Sequence, residues 1–252
     1  MTPEALVLLY VAGVAAGIVS VLVSMASLIS YPALLFVGLP PVAANVTNTV
    51  SLVFTGVGAA LGSRLELRGL GPVVLRLAVA AVAGGLVGAG LLLVLPEQAF
   101  EYVAPLLIAM AALLVLAGPR LRERPRFQPV GLRPGAVGAY GATAVYTGYF
   151  GAAGGVLAFA ALSAIIDRPF HDVNAAKNVL AAFSNGAAAI TFVLLGPVQW
   201  LAVVPLALGL FTGGLVGPAI ARRVPASALR VAVGAGGLLV AAVLAWETYG
   251  PG

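Results

Sequence analysis

The chain has 252 residues, of which 62% are hydrophobic and 8% charged, and its mean hydropathy of +1.11 excludes an ordinary water-soluble domain. It contains no cysteine and one histidine, so we expect no disulfide, no thiolate or multi-histidine metal site and no cofactor. The net charge of +5 comes from arginines between apolar runs, where the positive-inside bias of membrane proteins explains it without nucleic-acid binding.

Eight apolar runs make up most of the chain, and each has the roughly 20 residues that a membrane-spanning helix needs. In chain order they lie at about 5–38, 42–62, 72–95, 99–118, 135–166, 173–195, 199–221 and 227–248. No Asp, Glu, Lys or Arg occurs between Glu4 and Arg64, or between Lys177 and Arg222. The first run lacks a basic segment before it and carries Glu4, so we expect it to belong to the mature protein. The pattern predicts a multi-pass, all-α integral membrane protein.

The longest polar stretch, Gly118–Pro134, contains five arginines and divides the runs into two groups of four. We therefore predict an N-terminal membrane repeat at 1–118, a basic linker at 119–134 and a C-terminal membrane repeat at 135–252. The segment that starts at Ala44 aligns without gaps with the segment that starts at Val173. Identical residues then pair as Asn45 with Asn174, Val50 with Val179 and Phe54 with Phe183. Weak internal similarity at corresponding positions is typical of duplicated transporters.

The twelve arginines distinguish two arrangements, because cytoplasmic loops hold the excess of Lys and Arg. If all eight runs cross the membrane, the arginines divide eight against four, with one side holding only Arg168, Arg222, Arg223 and Arg230. If the first run of each half is a re-entrant hairpin, all twelve face one side, and the other side holds Glu4, Glu97, Glu101 and Glu247. We prefer the hairpin alternative. It places both termini outside and the basic linker in the cytoplasm of an inner or plasma membrane.

The first run of each half is about 30 residues long and is interrupted near its middle by small residues. The interruptions are Ser24–Ser27 and Gly148–Gly155. Broken helices persist in lipid only where they are buried in protein or face a water-filled cavity. We therefore predict two inverted repeats, each a broken, re-entrant first hairpin followed by three transmembrane helices. The substrate is expected to bind near the midplane between the repeats.

Polar side chains form a stripe on the helix that follows each break. Asn45, Asn48 and Thr49 have the spacing i, i+3 and i+4. The second half repeats this spacing and adds Asn185 three turns beyond its first member: Asn174, Lys177 and Asn178. Such groups can replace part of the hydration shell of an anion, but they can also hydrogen-bond neighbouring helices. We favour the binding interpretation, and the sequence leaves the packing interpretation open.

Lys177 is the only lysine and lies within a predicted span. It either neutralises a bound anion or extends to the cytoplasmic interface and pairs with Asp172 or Asp167. His171 is predicted to be an interfacial loop residue and not a proton carrier. Three tyrosines flank the breaks and can donate hydroxyl groups to the site: Tyr31, Tyr146 and Tyr149.

Five motifs occur in a distinctive order along nearly the whole chain: Ser24–Pro32, Gly38–Thr49, Leu61–Arg64, Tyr149–Gly155 and Asn174–Asn178. In these motifs the chain resembles the sulfite exporter TauE/SafE family, also called the toluene sulfonate uptake permeases. It departs from the family at Ser24–Ser27, where glycines are usual. The resemblance implies transport of small sulfur-containing anions such as sulfite, sulfonates or sulfoacetate. An anion is compatible with helices that restart after each break, because their positive N-terminal ends would point into the membrane.

The sequence offers no aspartate pair within a span, no metal-ligand cluster and no Ser-His-Asp set, so we expect a permease and not an enzyme. Its expected partners are the lipid bilayer and a small anion bound by Ser24, Ser27, Asn45, Asn48, Thr49, Tyr149, Gly154, Gly155, Asn174, Lys177 and Asn178. The alternatives are a non-transporting membrane scaffold and a permease for a different small anion. A transporter should have a cavity where the breaks and stripes converge, whereas a scaffold should be filled there by apolar side chains. The identity of the anion, the transport direction, the coupling ion and the oligomeric state are left open.

Overall fold

The computed structural model describes residues 1–23, 25–63, 65–122, 132–151, 154–221 and 226–250. Within these ranges the chain forms ten α-helices and no strand, which confirms the predicted all-α class. In chain order the helices are α1 (Pro3–Val23), α2 (Ser27–Phe36), α3 (Pro41–Gly62), α4 (Gly71–Val94), α5 (Glu97–Arg122), α6 (Pro134–Tyr149), α7 (Gly154–Ile165), α8 (Phe170–Leu195), α9 (Trp200–Ala221) and α10 (Ala226–Tyr249). The predicted residues that lie outside the described ranges include Ser24, Arg64, Arg222, Arg223 and most of the linker.

Seven of the described helices are long and apolar enough to cross a membrane: α1, α3, α4, α5, α8, α9 and α10. Two others, α2 with 10 residues and α7 with 12, are about half of the roughly 20 residues that a crossing needs. Each follows a predicted break, since α1 ends at Val23 before α2 begins at Ser27, and α6 ends at Tyr149 before α7 begins at Gly154. The predicted broken helices are therefore confirmed. In both halves the arm before the break is the longer one.

Helices α1 and α9 run parallel and touch along a row of glycines. A Cβ added to Gly13 would lie 2.6 Å from the carbonyl oxygen of Leu206, and one added to Gly17 would lie 2.6 Å from that of Leu210. Further along the pair, Gly217 faces Val21. No side chain fits at such distances, so the two backbones are in direct contact, as small residues allow between membrane helices.

The same packing occurs between α4 and α6. The five-residue sequence Gly-Gly-Leu-Val-Gly lies at Gly84–Gly88 in α4 and again at Gly213–Gly217 in α9. In α4 its first and last glycines press against Ala144 and Gly148 of α6, and in α9 its first and last glycines press against α1. The fourth helix of each half therefore packs on the first helix of the other half. The two halves are interlocked by equivalent contacts.

Helices α3 and α8 cross antiparallel at the centre of the bundle. A Cβ on Gly56 would lie 2.6 Å from the Cβ of Ala182, whereas nearer the start of α3 the side chain of Val46 lies beside Gly196. The membrane-spanning stretch of α3 is 83% buried inside the protein, whereas that of α10 is 22% buried. Because α3 is surrounded by other helices, its many polar side chains face protein and not lipid.

The helix ends fall into two groups at opposite ends of the bundle. At one end, which we call the glutamate side, lie the start of α1 with Glu4, the start of α9, and the start of α5, where Tyr102 accepts a hydrogen bond from Tyr249 at the end of α10. At the other end, the arginine side, the α3–α4 and α7–α8 loops meet, since a Cβ on Gly69 would lie 3.5 Å from a guanidinium nitrogen of Arg168. If all eight runs crossed the membrane, these two loops would face opposite sides. Their contact favours the hairpin alternative.

Candidate functional site

The two breaks meet inside the helix bundle. Ser27, the first residue of α2, lies against Gly151 of the second break, where a Cβ would be 3.9 Å from Ser27 Oγ. One turn further along α2, the ring of Tyr31 contacts the ring of Phe150 edge to face, with 5.6 Å between the ring centroids. Ser27 is 5% exposed and Tyr31 is 2% exposed, so this contact is closed to solvent. The short helices α2 and α7 thus both begin close to one point.

The second break is a tight turn built on glycine. The N–H groups of Phe150 and Gly151 both donate to the carbonyl of Tyr146, at 3.0 and 3.4 Å. Gly151 has a φ of +78°, the left-handed conformation with which many helices end. Helix α7 begins at Gly154, which packs so closely on Thr147 that no Cβ would fit between them. The start of α7 therefore rests directly on the last turn of α6.

The first break is stabilised by bonds to a single carbonyl. The N–H groups of Ile29 and Ser30 both donate to the carbonyl of Ala26 at 3.0 Å, and Ser30 Oγ donates to the same oxygen at 3.1 Å. Met25 and Ala26 are buried among the helices. The start of α2 is thus fixed by hydrogen bonds to its own backbone.

Asparagines from the central helices bond to the ends of the broken helices. Asn45 Nδ2 donates to the carbonyl of Tyr149 at 2.9 Å, and Asn174 Nδ2 donates to the carbonyl of Val21 at 3.2 Å. Both carbonyls lie in the last turn of a helix, where the backbone offers no N–H partner. These two amide groups therefore stabilise helix ends, which is the packing interpretation of the stripe. Tyr149 contributes its backbone carbonyl to this contact.

Asn48 reaches the point where the breaks meet. Its Nδ2 donates to Ser27 Oγ at 3.2 Å, which leaves the hydroxyl hydrogen of Ser27 available for another acceptor. Asn48 is fully buried, and its Oδ1 has no hydrogen-bond partner in the structure. A buried polar atom without a partner is costly and is typical of a site completed by a ligand or water.

The rest of the stripe divides between bonded and unpartnered groups. Thr49 Oγ1 donates to the carbonyl of Asn45 one turn earlier at 3.0 Å, so its hydroxyl hydrogen is used within α3. Asn178 is 6% exposed and its Nδ2 has no partner, and the Oδ1 atoms of Asn45 and Asn185 also have none. Asn178 therefore retains a free donor group.

Lys177 is buried, with 2% of its surface exposed. An extended side chain that reaches the membrane interface would be largely exposed, so this burial is contrary to the snorkelling interpretation. Lys177 follows Asn174 by three residues, as Asn48 follows Asn45. It therefore occupies in the second half the position from which Asn48 reaches the start of α2.

Gly155 and His171 are the remaining predicted residues. Gly155 is the second residue of α7 and is partly buried beside the second break. The side chain of His171 lies outside the described part of the chain, as Ser24 does.

An aromatic cluster beside the breaks was not predicted from the sequence. Phe100 of α5 contacts the rings of Tyr149 and Phe150, with centroid distances of 6.0 and 5.6 Å. Phe100 is 1% exposed and lies far from either break along the chain. Its neighbours Glu97 and Glu101 mark a helix start and give no signal of a buried contact, so only the fold reveals its position.

Grooves on the outside of the bundle are lined by residues of α1, α2 and α10. A groove of 660 Å³ follows the outer face of α1 from Pro3 to Ala15. A second groove of 450 Å³ is lined by residues of α1, α2 and α10: Ala15, Ile18, Val19, Leu28, Ile29, Ala232, Val233, Gly236 and Gly237. The site between the breaks is closed, with polar side chains on the α3 side and aromatic rings on the α5 side.

The sequence profile described as "Sulfite exporter TauE/SafE" matches residues 9–244. The chain belongs to the sulfite exporter TauE/SafE family. This TauE/SafE protein is similar to "Probable membrane transporter protein YfcA" of Escherichia coli strain K12. The two proteins are 24% identical over 251 residues, which cover 99% of this chain and 93% of the relative. The same figures hold for proteins of that name in Escherichia coli O6:H1 and O157:H7. No solved structure matches the chain.

Membership of the TauE/SafE family, the printed name of the relatives and seven apolar helices in the described part of the chain together identify a multi-pass membrane transporter. Family membership also agrees with the expectation of transport and not of enzymatic catalysis.

Proposed function

We propose that this TauE/SafE protein carries a small sulfur-containing anion, of the sulfite, sulfonate or sulfoacetate type, through the point where the two breaks meet. The substrate class comes from the family description and the resemblance on which the sequence analysis rests. The binding position comes from the geometry of the breaks. The single observation that carries the proposal is the contact of Ser27 with Gly151, because it brings the starts of two helices together in the bundle interior.

Helix starts favour anions, since the aligned backbone dipoles give this end of a helix a partial positive charge. Helix α2 begins at Ser27 and α7 begins at Gly154, on either side of the meeting point. Ser27 has a hydroxyl hydrogen to donate, and Asn178 has an unpartnered, buried Nδ2. These donors suit the oxygen atoms of a sulfite or sulfonate group.

Lys177 supplies a formal positive charge to this region. Among the buried side chains that the structure describes, it is the one that belongs to a lysine, arginine, aspartate or glutamate. Residues of these types inside membrane segments are rare and are typical of substrate pathways. Because Lys177 has the repeat position of Asn48, we place its ammonium group toward the start of α7.

The proposed transport path lies between two inverted halves in an inner or plasma membrane, with the arginine side in the cytoplasm. Support comes from the helix directions. The first helix of one half runs parallel to the fourth helix of the other, and α3 and α8 are antiparallel. Rocking of the halves about their central contact would expose the anion to one side and then to the other.

The test is anion flux into liposomes that contain the purified protein. Labelled sulfite, methanesulfonate, sulfoacetate and chloride are compared in empty liposomes, wild type, Lys177→Met and the double variant Asn48→Ala with Asn178→Ala. We expect both variants to lose flux of the sulfur anions by roughly tenfold or more, since each removes groups that bond to a charged ligand. Ser163→Ala is the matched control, because Ser163 has an exposed hydroxyl that bonds within α7.

The outcomes separate substrate from site. If wild type and the Ser163→Ala control transport a sulfur anion and the two site variants do not, the result supports both the substrate class and the binding position. Equal flux in all four proteins places the path elsewhere in the bundle. Flux of chloride alone favours a permease for a different small anion. The absence of flux for every anion, in folded protein, contradicts the proposed substrate class.

A further inference from the structure

Two equivalent hydrogen bonds connect the halves at the breaks, and we call them the asparagine ties. The first tie joins Asn45 Nδ2 in the first half to the Tyr149 carbonyl in the second, at 2.9 Å. The second tie joins Asn174 Nδ2 in the second half to the Val21 carbonyl in the first, at 3.2 Å. Asn45 and Asn174 are aligned by the internal repeat. The ties are therefore one device used twice, in opposite directions between the halves.

The ties lie at opposite ends of the central helix pair. Asn45 is in the first two turns of α3, close to Thr47, whose Oγ1 accepts a bond from Gln199 N–H at 3.1 Å in the α8–α9 loop. This end of the pair is on the glutamate side. Asn174 is in the first two turns of α8, at the opposite end, because α3 and α8 are antiparallel. The first tie thus faces the glutamate side and the second faces the arginine side.

Motion between the two halves changes the free energy of the asparagine ties. Each carbonyl is at a helix end, where losing its side-chain donor inside a membrane protein is unfavourable. Each tie also crosses from one half to the other, so rotation of the halves that separates them on one side must lengthen the tie on that side. A rotation about the central crossing can leave the tie on the far side intact.

We infer that the asparagine ties are the two gates of transport, one on each side of the substrate site. The inference rests on the proposed function for the position of that site. Breaking the first tie opens the site to the glutamate side, and breaking the second opens it to the arginine side. Both ties are formed in this structure, which agrees with the closed meeting point: Asn48 is fully buried and Asn178 is 6% exposed.

The experiment measures access to the site from each side. The natural chain has no cysteine, so Ala26→Cys places a single thiol at the first break, at a position 5% exposed. This thiol is introduced into wild type, Asn45→Ala, Asn174→Ala and Ser184→Ala. Ser184 Oγ donates to the Ala144 carbonyl at 3.3 Å within the second half, so it is the matched control for losing a buried bond that does not cross between halves. A membrane-impermeant thiol reagent is then applied to right-side-out and inside-out vesicles without substrate.

We expect Asn45→Ala to raise the labelling rate from the glutamate side by roughly two- to tenfold, the population shift that follows from one lost hydrogen bond. Asn174→Ala should give the same increase from the arginine side only, and Ser184→Ala should leave both rates at the wild-type value. Labelling that rises equally from both sides, or not at all in folded protein, overturns the gate assignment.

The variants Asn45→Leu and Asn174→Leu remove the donor and keep a similar side-chain size without adding a charge, so they provide the test if an alanine variant does not fold. Labelling needs no transported anion. A wrong substrate class would therefore leave this result intact, and failure of the gates would leave the flux measurements intact.

Discussion

The second break turns at Gly151, and the backbone of this residue determines its geometry. Its φ of +78° lies in the left-handed region that side chains with a Cβ rarely adopt. A Cβ at this position would also lie 3.3 Å from the carbonyl oxygen of Thr147, which is a tight contact. Because α7 starts three residues later, any strain at Gly151 is transmitted to the helix that borders the proposed anion site.

We expect Gly151→Ala to lower the free energy of unfolding by about 1–2 kcal/mol, the cost of a left-handed conformation for a residue with a Cβ. Thermal unfolding of the detergent-solubilised protein measures the change. Gly141→Ala in α6 is the control, because a Cβ added at Gly141 would have no neighbouring atom within 4 Å and alanine is the better helix former. A Gly151→Ala protein as stable as Gly141→Ala would contradict the assigned role of the turn.

At the residue scale the sequence predicted which side chains gather at the breaks, but not what each one does. Asn45, Asn48 and Asn174 were recognised from their spacing, and the structure places all three at the breaks. The spacing does not reveal that two of them bond to carbonyls of the opposite half, because those partners are backbone atoms distant in sequence. The contribution of Phe100 was invisible for the same reason: an apolar residue in an apolar helix carries no signal of its neighbour.

The helices themselves were predicted closely, because apolar runs in a membrane protein end where polar or helix-breaking residues begin. The predicted run 42–62 corresponds to α3 at Pro41–Gly62, and the run 72–95 corresponds to α4 at Gly71–Val94. The Gly-Gly-Leu-Val-Gly sequences form small faces that allow close helix packing. Their partners, α6 and α1, could not be assigned, since composition shows that a helix has a small face but not which helix it meets.

Helix α2 is a short helix at the site that borders a groove. It has 10 residues, and Pro32 inside it removes one backbone donor. Leu28 and Ile29 line the groove of 450 Å³ together with residues of α1 and α10. A short helix beside a groove has space on one side into which it can shift. Motion of α2 into this groove would change the position of Ser27.

Filling the groove should therefore impair transport more than stability. In Gly236→Phe, the new side chain starts where no atom lies within 4 Å of the Cβ, and its ring occupies the groove beside α2. We expect the free energy of unfolding to stay within about 1 kcal/mol of wild type, because no packed contact is lost. Anion flux should fall several-fold if α2 moves during the cycle.

The matched control is Gly90→Phe in α4, where the Cβ also has no neighbour within 4 Å but no groove beside α2 is filled. Flux and thermal unfolding of both variants are measured in the same preparation. Normal flux in Gly236→Phe would show that α2 does not enter the groove during transport. Equal loss of flux in both variants would point to a general effect of a large side chain on the lipid-facing surface.

For the whole molecule, charge and helix direction lead to the same orientation. The described helix ends carry Glu4, Glu97 and Glu247 on one side and the arginine-bearing loops on the other. The arginine count suggested this separation from the sequence alone. The sequence favoured the hairpin arrangement through the arginine count but did not exclude eight crossings, because a run of 30 apolar residues permits both. The contact between the α3–α4 and α7–α8 loops, seen at Gly69 and Arg168, is the information that only the fold supplies.

Single cysteines introduced into the cysteine-free chain test this orientation. Leu65→Cys and Asp167→Cys lie in the two loops of the arginine side, and Gln98→Cys lies at the exposed start of α5 on the glutamate side. We expect an impermeant thiol reagent to label Gln98→Cys in cells whose wall and outer membrane have been removed. Leu65→Cys and Asp167→Cys should be labelled only after the cytoplasmic face of the membrane is exposed. The physical reason is the retention of arginine-rich loops in the cytoplasm. Labelling of Leu65→Cys and Asp167→Cys from opposite faces would restore the arrangement in which all eight runs cross, and with it the eight-against-four division of the arginines.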